Sequence, residues 1–177
     1  MHWTLRLGTA LATLTLPANA LAQATASPCL TEAEATAFFS YALPEMLDTV
    51  AGKCIQALPA SSFLSTNSKA LVSKYRAASA PDWPQAKAAF LKLGGDENSD
   101  GTKILKAMPD ETLKVLVSTG FNVVVGKEIK PVDCPKIDAV VSSLAPLPIS
   151  NIAKLLVSMG GLAGNKPDDA FKICPKS

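Results

Sequence analysis

Histidine is the scarcest residue of this chain. Its single copy, His2, lies at the extreme N-terminus. From residue 3 onward there is no imidazole, which excludes Ser-His-Asp and Cys-His nucleophilic machinery and His-ligated zinc. It also removes the side chain most used as a general acid or base near neutral pH. Arginine is nearly as rare: Arg6 and Arg76 are the only two among 17 basic residues. A site that reads carboxylate or phosphate through bidentate guanidinium contacts therefore has little support. No C-x-x-C motif occurs, and the closest cysteines, Cys29 and Cys54, are 25 positions apart. That spacing suits neither a zinc knuckle nor a dithiol redox pair. Basic and acidic residues, 17 against 15, nearly cancel, and the lysines are scattered. Both features argue against a nucleic-acid partner.

What is present begins with an export pattern. Arg6 supplies a positive start, residues 7–16 are apolar or small apart from three threonines, Pro17 breaks the run, and Ala20-Leu21-Ala22 is a small-x-small exit. These are the parts of a cleavable secretory signal over residues 1–22. The apolar stretch is about half of the roughly 20 residues that span a bilayer. Pro28 stands directly before Cys29, where a lipid-attachment signal needs a small flexible residue. The expected mature chain is one domain over residues 23–177, with no segment apolar enough to cross a membrane.

Four cysteines, Cys29, Cys54, Cys134 and Cys174, remain in that chain. An even number in an exported protein reads as two disulfides, with three pairings open to four cysteines. The favoured pairs are Cys29 with Cys54 and Cys134 with Cys174. Each pair encloses a Leu-Pro step, Leu43-Pro44 or Leu147-Pro148, in a similar place.

Apolar spacing is helical almost throughout, and the expected fold is all-α: a compact bundle of six to eight short helices. Thr31-Glu32-Ala33-Glu34 is a capping box, followed by a helix that Pro44 should kink or break. The unit that starts at Ala57-Leu58-Pro59, with Leu71, Val72, Tyr75 and Ala78, then Trp83 to Leu93 and the stretches from Ile104, Asp110, Ile137 and Ile149, each carry helical spacing. Asp82-Trp83-Pro84 reads as a cap with proline in the first turn. Val123-Val124-Val125 is β-branched and leaves a strand open there. Residues 168–173 are expected to close the chain with a helical turn. The recurrent Leu-Pro starts, with Leu-Val-Ser at residues 71–73 and 116–118 roughly echoed at 156–158, suggest two pseudo-repeated helix–Leu-Pro–helix halves.

Asp96-Glu97-Asn98-Ser99-Asp100-Gly101 matches the first half of a calcium loop, with oxygen ligands at Asp96, Asn98 and Asp100 and a turning glycine. The second half fails: position 12, where a bidentate Glu belongs, is Ala107. Turn-forming residues account for the same pattern, so weak calcium binding is the most this loop suggests, and no other cofactor is implied. Ser158 has no base beside it, and Ser65 with Lys69 misses the S-x-x-K spacing. Glu32 with Glu34, and Asp168 with Asp169, suit helix starts better than acid/base pairs. Trp83, Phe38, Phe39 and Tyr41 fall at core spacing.

The expected function is non-catalytic: an exported binding protein for an apolar ligand or a protein partner. A His-independent enzyme using carboxylates or lysine, and a calcium-modulated structural protein, are the alternatives. Protein recovered from the exported fraction should begin at Gln23, as read by N-terminal sequencing. A chain that still begins at Met1 rejects the leader.

Overall fold

The computed structural model describes residues 29–94, 98–163 and 172–174; the expected leader lies outside them. The fold is compact and all-α, as the apolar spacing predicts. In chain order it contains β1 (Cys29–Leu30), α1 (Glu32–Cys54), α2 (Phe63–Ser79), α3 (Trp83–Leu93), α4 (Asp100–Ala107), α5 (Asp110–Glu128), α6 (Cys134–Leu144), α7 (Ile149–Ala163) and β2 (Lys172–Ile173). Short 3-10 turns precede α3 and α6.

Helix α1 starts where the capping box places it. The Thr31 hydroxyl accepts from the Glu34 amide at 3.2 Å, and the Glu34 carboxylate accepts from the Thr31 amide at 2.7 Å. The same carboxylate meets Lys92 of α3 at 3.0 Å. The helix then runs through Pro44 to Cys54 without a break. The expected interruption fails because α1 is the centre of the bundle. Ala35, Ala37, Phe38, Ala42, Pro44 and Ala51 are buried around its whole circumference, and α2, α3, α5 and α7 all pack on it. Burial from several sides outweighs the roughly 3 kcal/mol that an interior proline costs.

Four of the other helices, α2, α3, α5 and α7, are partial coats on α1. Ser62 caps α2, and Leu64, Leu71, Tyr75 and Ser79 line its buried stripe. A second cap comes from α6: the Asp138 carboxylate accepts from the amides of Leu64 at 2.6 Å and Phe63 at 3.3 Å. A negative charge at a helix N-terminus satisfies free amides and the dipole together. At the far end of α6, the Tyr75 hydroxyl donates toward the carbonyl of Leu147 at 3.0 Å. Val123-Val124-Val125 is helical, within α5. On α7, Ile149, Ile152, Ala153 and Val157 face inward, while Leu155 and Met159 stay exposed. Lys172-Ile173 is extended and pairs in parallel with Cys29-Leu30, so the expected closing helical turn is absent there. Residues 168–171 lie outside the described residues.

Two disulfides join Cys29 to Cys174 and Cys54 to Cys134, and the expected pairing is therefore corrected. Cys29 precedes the first turn of α1 and Cys54 ends its last. An unbroken helix of 23 residues is about 35 Å long, whereas bridged Cα atoms lie within roughly 7 Å. Cys29 and Cys54 cannot meet. The two expected halves are not closed separately, since each bridge links an end of α1 to the C-terminal part of the chain.

The Cys54–Cys134 bridge lies in a buried cluster with Ala51 and Leu64, whereas Cys174 is only half-buried. Mild reductant should therefore open Cys29–Cys174 first, as read by thiol labelling and peptide mapping. Closing an 80-residue separation restricts the unfolded chain by about 4.5 kcal/mol in the chain-entropy treatment. Replacing Cys54 and Cys134 together by Ala should lower Tm by about 10 °C or more. An unchanged melt rejects the staple.

Candidate functional site

The densest polar cluster forms where α1, α2, α3 and α5 meet. It starts from Arg76, the only arginine after residue 22, near the end of α2. Its guanidinium donates to both oxygens of Glu45, at 2.7 and 3.1 Å, and to Asp48 at 2.9 Å. These bonds, that to Glu45 foremost, hold the guanidinium still more firmly cationic. One helix turn earlier on α1, Tyr41 stacks on Trp83 with ring centroids 4.8 Å apart. Burial raises the Tyr41 phenol above its usual pKa against the opposing charge of Lys114. Lys114 lies 5.5 Å from the centre of the Trp83 ring and pairs with Glu111 at 2.8 Å.

Trp83 is buried, and its indole nitrogen donates to Asp110 at 2.9 Å. The second Asp110 oxygen meets Lys87 at 2.6 Å. Lys87 first and Trp83 second hold the Asp110 carboxyl below its ordinary value. The Glu34 carboxyl is likewise lowered: burial opposes, but the Thr31 amide and Lys92 prevail. Glu111 raises the Lys114 ammonium. The Glu34 and Asp110 carboxyls thus move down and the Arg76 and Lys114 cations move up, each toward its charged form. A general acid or base serving near neutral pH needs the opposite displacement. The arrangement is that of a tether between helices.

Two clefts border this framework. One, of about 180 Å³, lies between Tyr41, Pro44, Glu45, Arg76 and Lys114. It is smaller than the roughly 300 Å³ at which small-molecule pockets begin. The other is an open depression of about 460 Å³ whose lining includes Glu32, Thr36, Ser40, Asp82, Gln85 and Lys154. Neither is the apolar groove that a greasy ligand requires.

The apolar surface lies instead on α5. Residues 115–126 carry no charge. Only Leu113 and Val117 are buried in this helix of 19 residues. Val115, Leu116, Val123 and Val124 are 64%, 43%, 51% and 64% exposed, and Thr112, Thr119 and Gly120 are exposed with them. A Cβ added at Gly120 would meet nothing within 4 Å. Thr112, Leu116, Thr119 and Val123 follow one another at spacings of four, three and four, the repeat of a helix-pairing seam. The opposite side of α5 is held to α1 through Phe121 against Phe38, with ring centroids 5.6 Å apart, and through the Thr49 hydroxyl donating to Asn122.

The calcium-loop residues are described only in part. Asp96 lies outside the described residues. Asn98 is in an exposed turn, and Asp100 is the first residue of α4, paired with Lys103 at 3.2 Å. Ser99 caps α4, so Asp100–Ala107 forms helix over positions 5 to 12, most of which should be loop in a calcium site. Among the described residues no group of three His, Cys, Asp or Glu side chains is placed to hold a metal ion. The expected core aromatics do pack together. The Trp83–Asp110–Lys87 tether was not anticipated; Pro109-Asp110 at a helix start was its only visible sign.

Trp83 is the sole tryptophan after residue 22, so its fluorescence reports on this tether. Asp110→Ala should red-shift the native emission and lower Tm, while Asp110→Asn, which keeps an acceptor for the indole, should restore the emission. A lowered folded pKa means that the carboxylate stabilises the fold above the unfolded value. That contribution disappears as pH falls through the folded value, so the acid transition in emission should lie below 3.8, the ordinary aspartate value. Unchanged emission in Asp110→Ala rejects the contact.

Comparison of the chain with protein-family models, curated protein sequences and solved structures finds no match in any of the three.

Proposed function

We propose that this protein is an exported, non-catalytic interaction protein that binds another protein through the outward face of α5. The observation that carries the reading is the exposed valine–leucine surface of a helix with no charge from residue 115 to residue 126. Side chains of this kind are scarce on the free surface of a monomer when they adjoin one another. The cluster is apolar at its centre and charged at its ends, with Asp110, Glu111 and Lys114 on one side and Lys127 and Glu128 on the other. That is the division between core and rim of a protein interface.

The export part of the proposal is supported by the leader-like N-terminus and by two disulfides, which persist in oxidising compartments. No described helix is long and apolar enough to cross a membrane. A protein partner is favoured over a small apolar ligand because the two clefts among the described residues are small or lined mostly by polar side chains, while the apolar side chains of α5 stand outward.

A photo-crosslinking residue at Leu116 should give a discrete protein adduct in the native exported fraction. The same residue at Lys69, exposed on α2, should not. The reading fails if Leu116 gives no protein adduct or only the adducts seen from Lys69.

A further inference from the structure

We infer that the open depression lined by α1, α7 and the start of α3 binds a small zwitterion, an amino acid or short peptide, with its ammonium at Asp82 and its carboxylate at Lys154. The site is separate from the α5 face and does not depend on it. The depression measures about 460 Å³, within the roughly 300–1,000 Å³ of small-molecule sites. Ala33, Ala37 and Ser40 of α1 form part of its lining, at the spacings of four and three that share one helix face. These side chains are too small to fill the space left where α3 and α7 pack on α1.

Ser40 supplies the observation that points to a ligand. It is only 1% exposed, yet its hydroxyl makes no hydrogen bond among the described residues. One turn earlier the Thr36 hydroxyl donates to the Glu32 carbonyl at 2.7 Å, the common local solution for a helical hydroxyl. Among the described residues no fully enclosed side-chain oxygen or nitrogen lacks a partner. The Ser40 hydroxyl therefore opens onto the depression that it lines, as a donor and acceptor free for a bound molecule.

The charges around it select the class of molecule. Asp82 is half-buried just before α3, and its carboxylate does not cap that helix. Lys154 is exposed on α7. Neither has an ion-pair partner among the described residues. The charged groups at the junction of α1, α2, α3 and α5 pair with one another, whereas Asp82 and Lys154 line one depression and leave each other free. A molecule with an ammonium at one end and a carboxylate at the other matches both through charge-assisted hydrogen bonds. The Gln85 amide adds a neutral donor and acceptor. Glu32 brings a second carboxylate to the lining, so negative charge exceeds positive there. The ammonium end of the ligand should contribute the larger share of the binding.

The mature, oxidised chain should be titrated with alanine, dialanine and trialanine while backbone amide shifts are followed by NMR. At least one of the three should give saturable shifts at residues 82–85 and 150–154, with a dissociation constant between about 0.1 and about 10 mM, as expected of a small ligand held by partly exposed ion pairs. The tightest of the three tells a free amino acid from a peptide. N-acetylation of that ligand should weaken binding about fivefold, the upper end for a partly exposed pair, and amidation of its carboxyl should weaken it less. Asp82→Asn should remove the difference between the free and acetylated forms, and Lys154→Gln the difference between the free and amidated forms. Ser40→Ala should weaken all forms alike, with the circular dichroism spectrum unchanged. Absence of saturable shifts with all three probes, or shifts confined to other residues, overturns the site. Amidated or acetylated ligand that binds as tightly as the free form overturns the zwitterion.

Discussion

Everything in this fold is arranged around the need to cover α1 on all sides. A helix with a single apolar stripe can lie on a surface, but α1 buries Phe38, Ala42, Pro44 and Ala51 in different directions. It is stable only with α2, α3, α5 and α7 around it. The two disulfides act at its ends. Cys29, just before α1, is bonded to Cys174, and Cys54, its last residue, is bonded to Cys134. The chain that leaves α1 is thus returned to it twice by covalent bonds. With few aromatics and many alanines, the packed core gains less from each buried side chain than a Phe- or Leu-rich core would. Restricting the unfolded chain compensates for part of that deficit.

The interior proline explains which part of the architecture was legible in the sequence. The capping box at Thr31, the Pro84, Pro109 and Pro148 starts and the helical spacing between them are local signals, and the helices form where those signals lie. Pro44 is also a local signal, and it points the wrong way. Read by itself it kinks or ends a helix after about three turns. The expected cysteine pairing came from a second local signal, the Leu-Pro step that each pair encloses, and the unbroken α1 overrules both. The information that overrules it is non-local: Pro44 is buried because four helices arrive around it. Such burial has no signature within a short window of sequence.

The same distinction separates the polar contacts. The Thr31–Glu34 capping box closes over three residues and could be read directly. Asp138 capping α2 across 74 residues, Arg76 binding Glu45 across 31 and Trp83 reaching Asp110 across 27 could not. These longer contacts fix the helices relative to one another. The calcium-like run is ambiguous for a related reason. Asp, Asn, Ser and Gly serve both turns and cation loops, and the Ser99 hydroxyl caps α4.

Helix α5 is the place where local and global preferences disagree. Its three consecutive valines favour extended structure, and only one side of it has anything to pack against. It is nevertheless helical, held by Leu113, Val117, Phe121, Asn122 and the Trp83–Asp110 tether, all on or beside the side facing α1. The outward side contributes almost nothing to the fold of one chain, yet it carries four exposed branched apolar residues and no charge. A surface free of folding duty could have carried lysine and glutamate, as most of the other helices do on theirs, at a gain in solubility. On the reading proposed above, its apolar character is set by what binds it. Because its inner side alone packs on α1, α5 can present that face without the fold depending on its being covered.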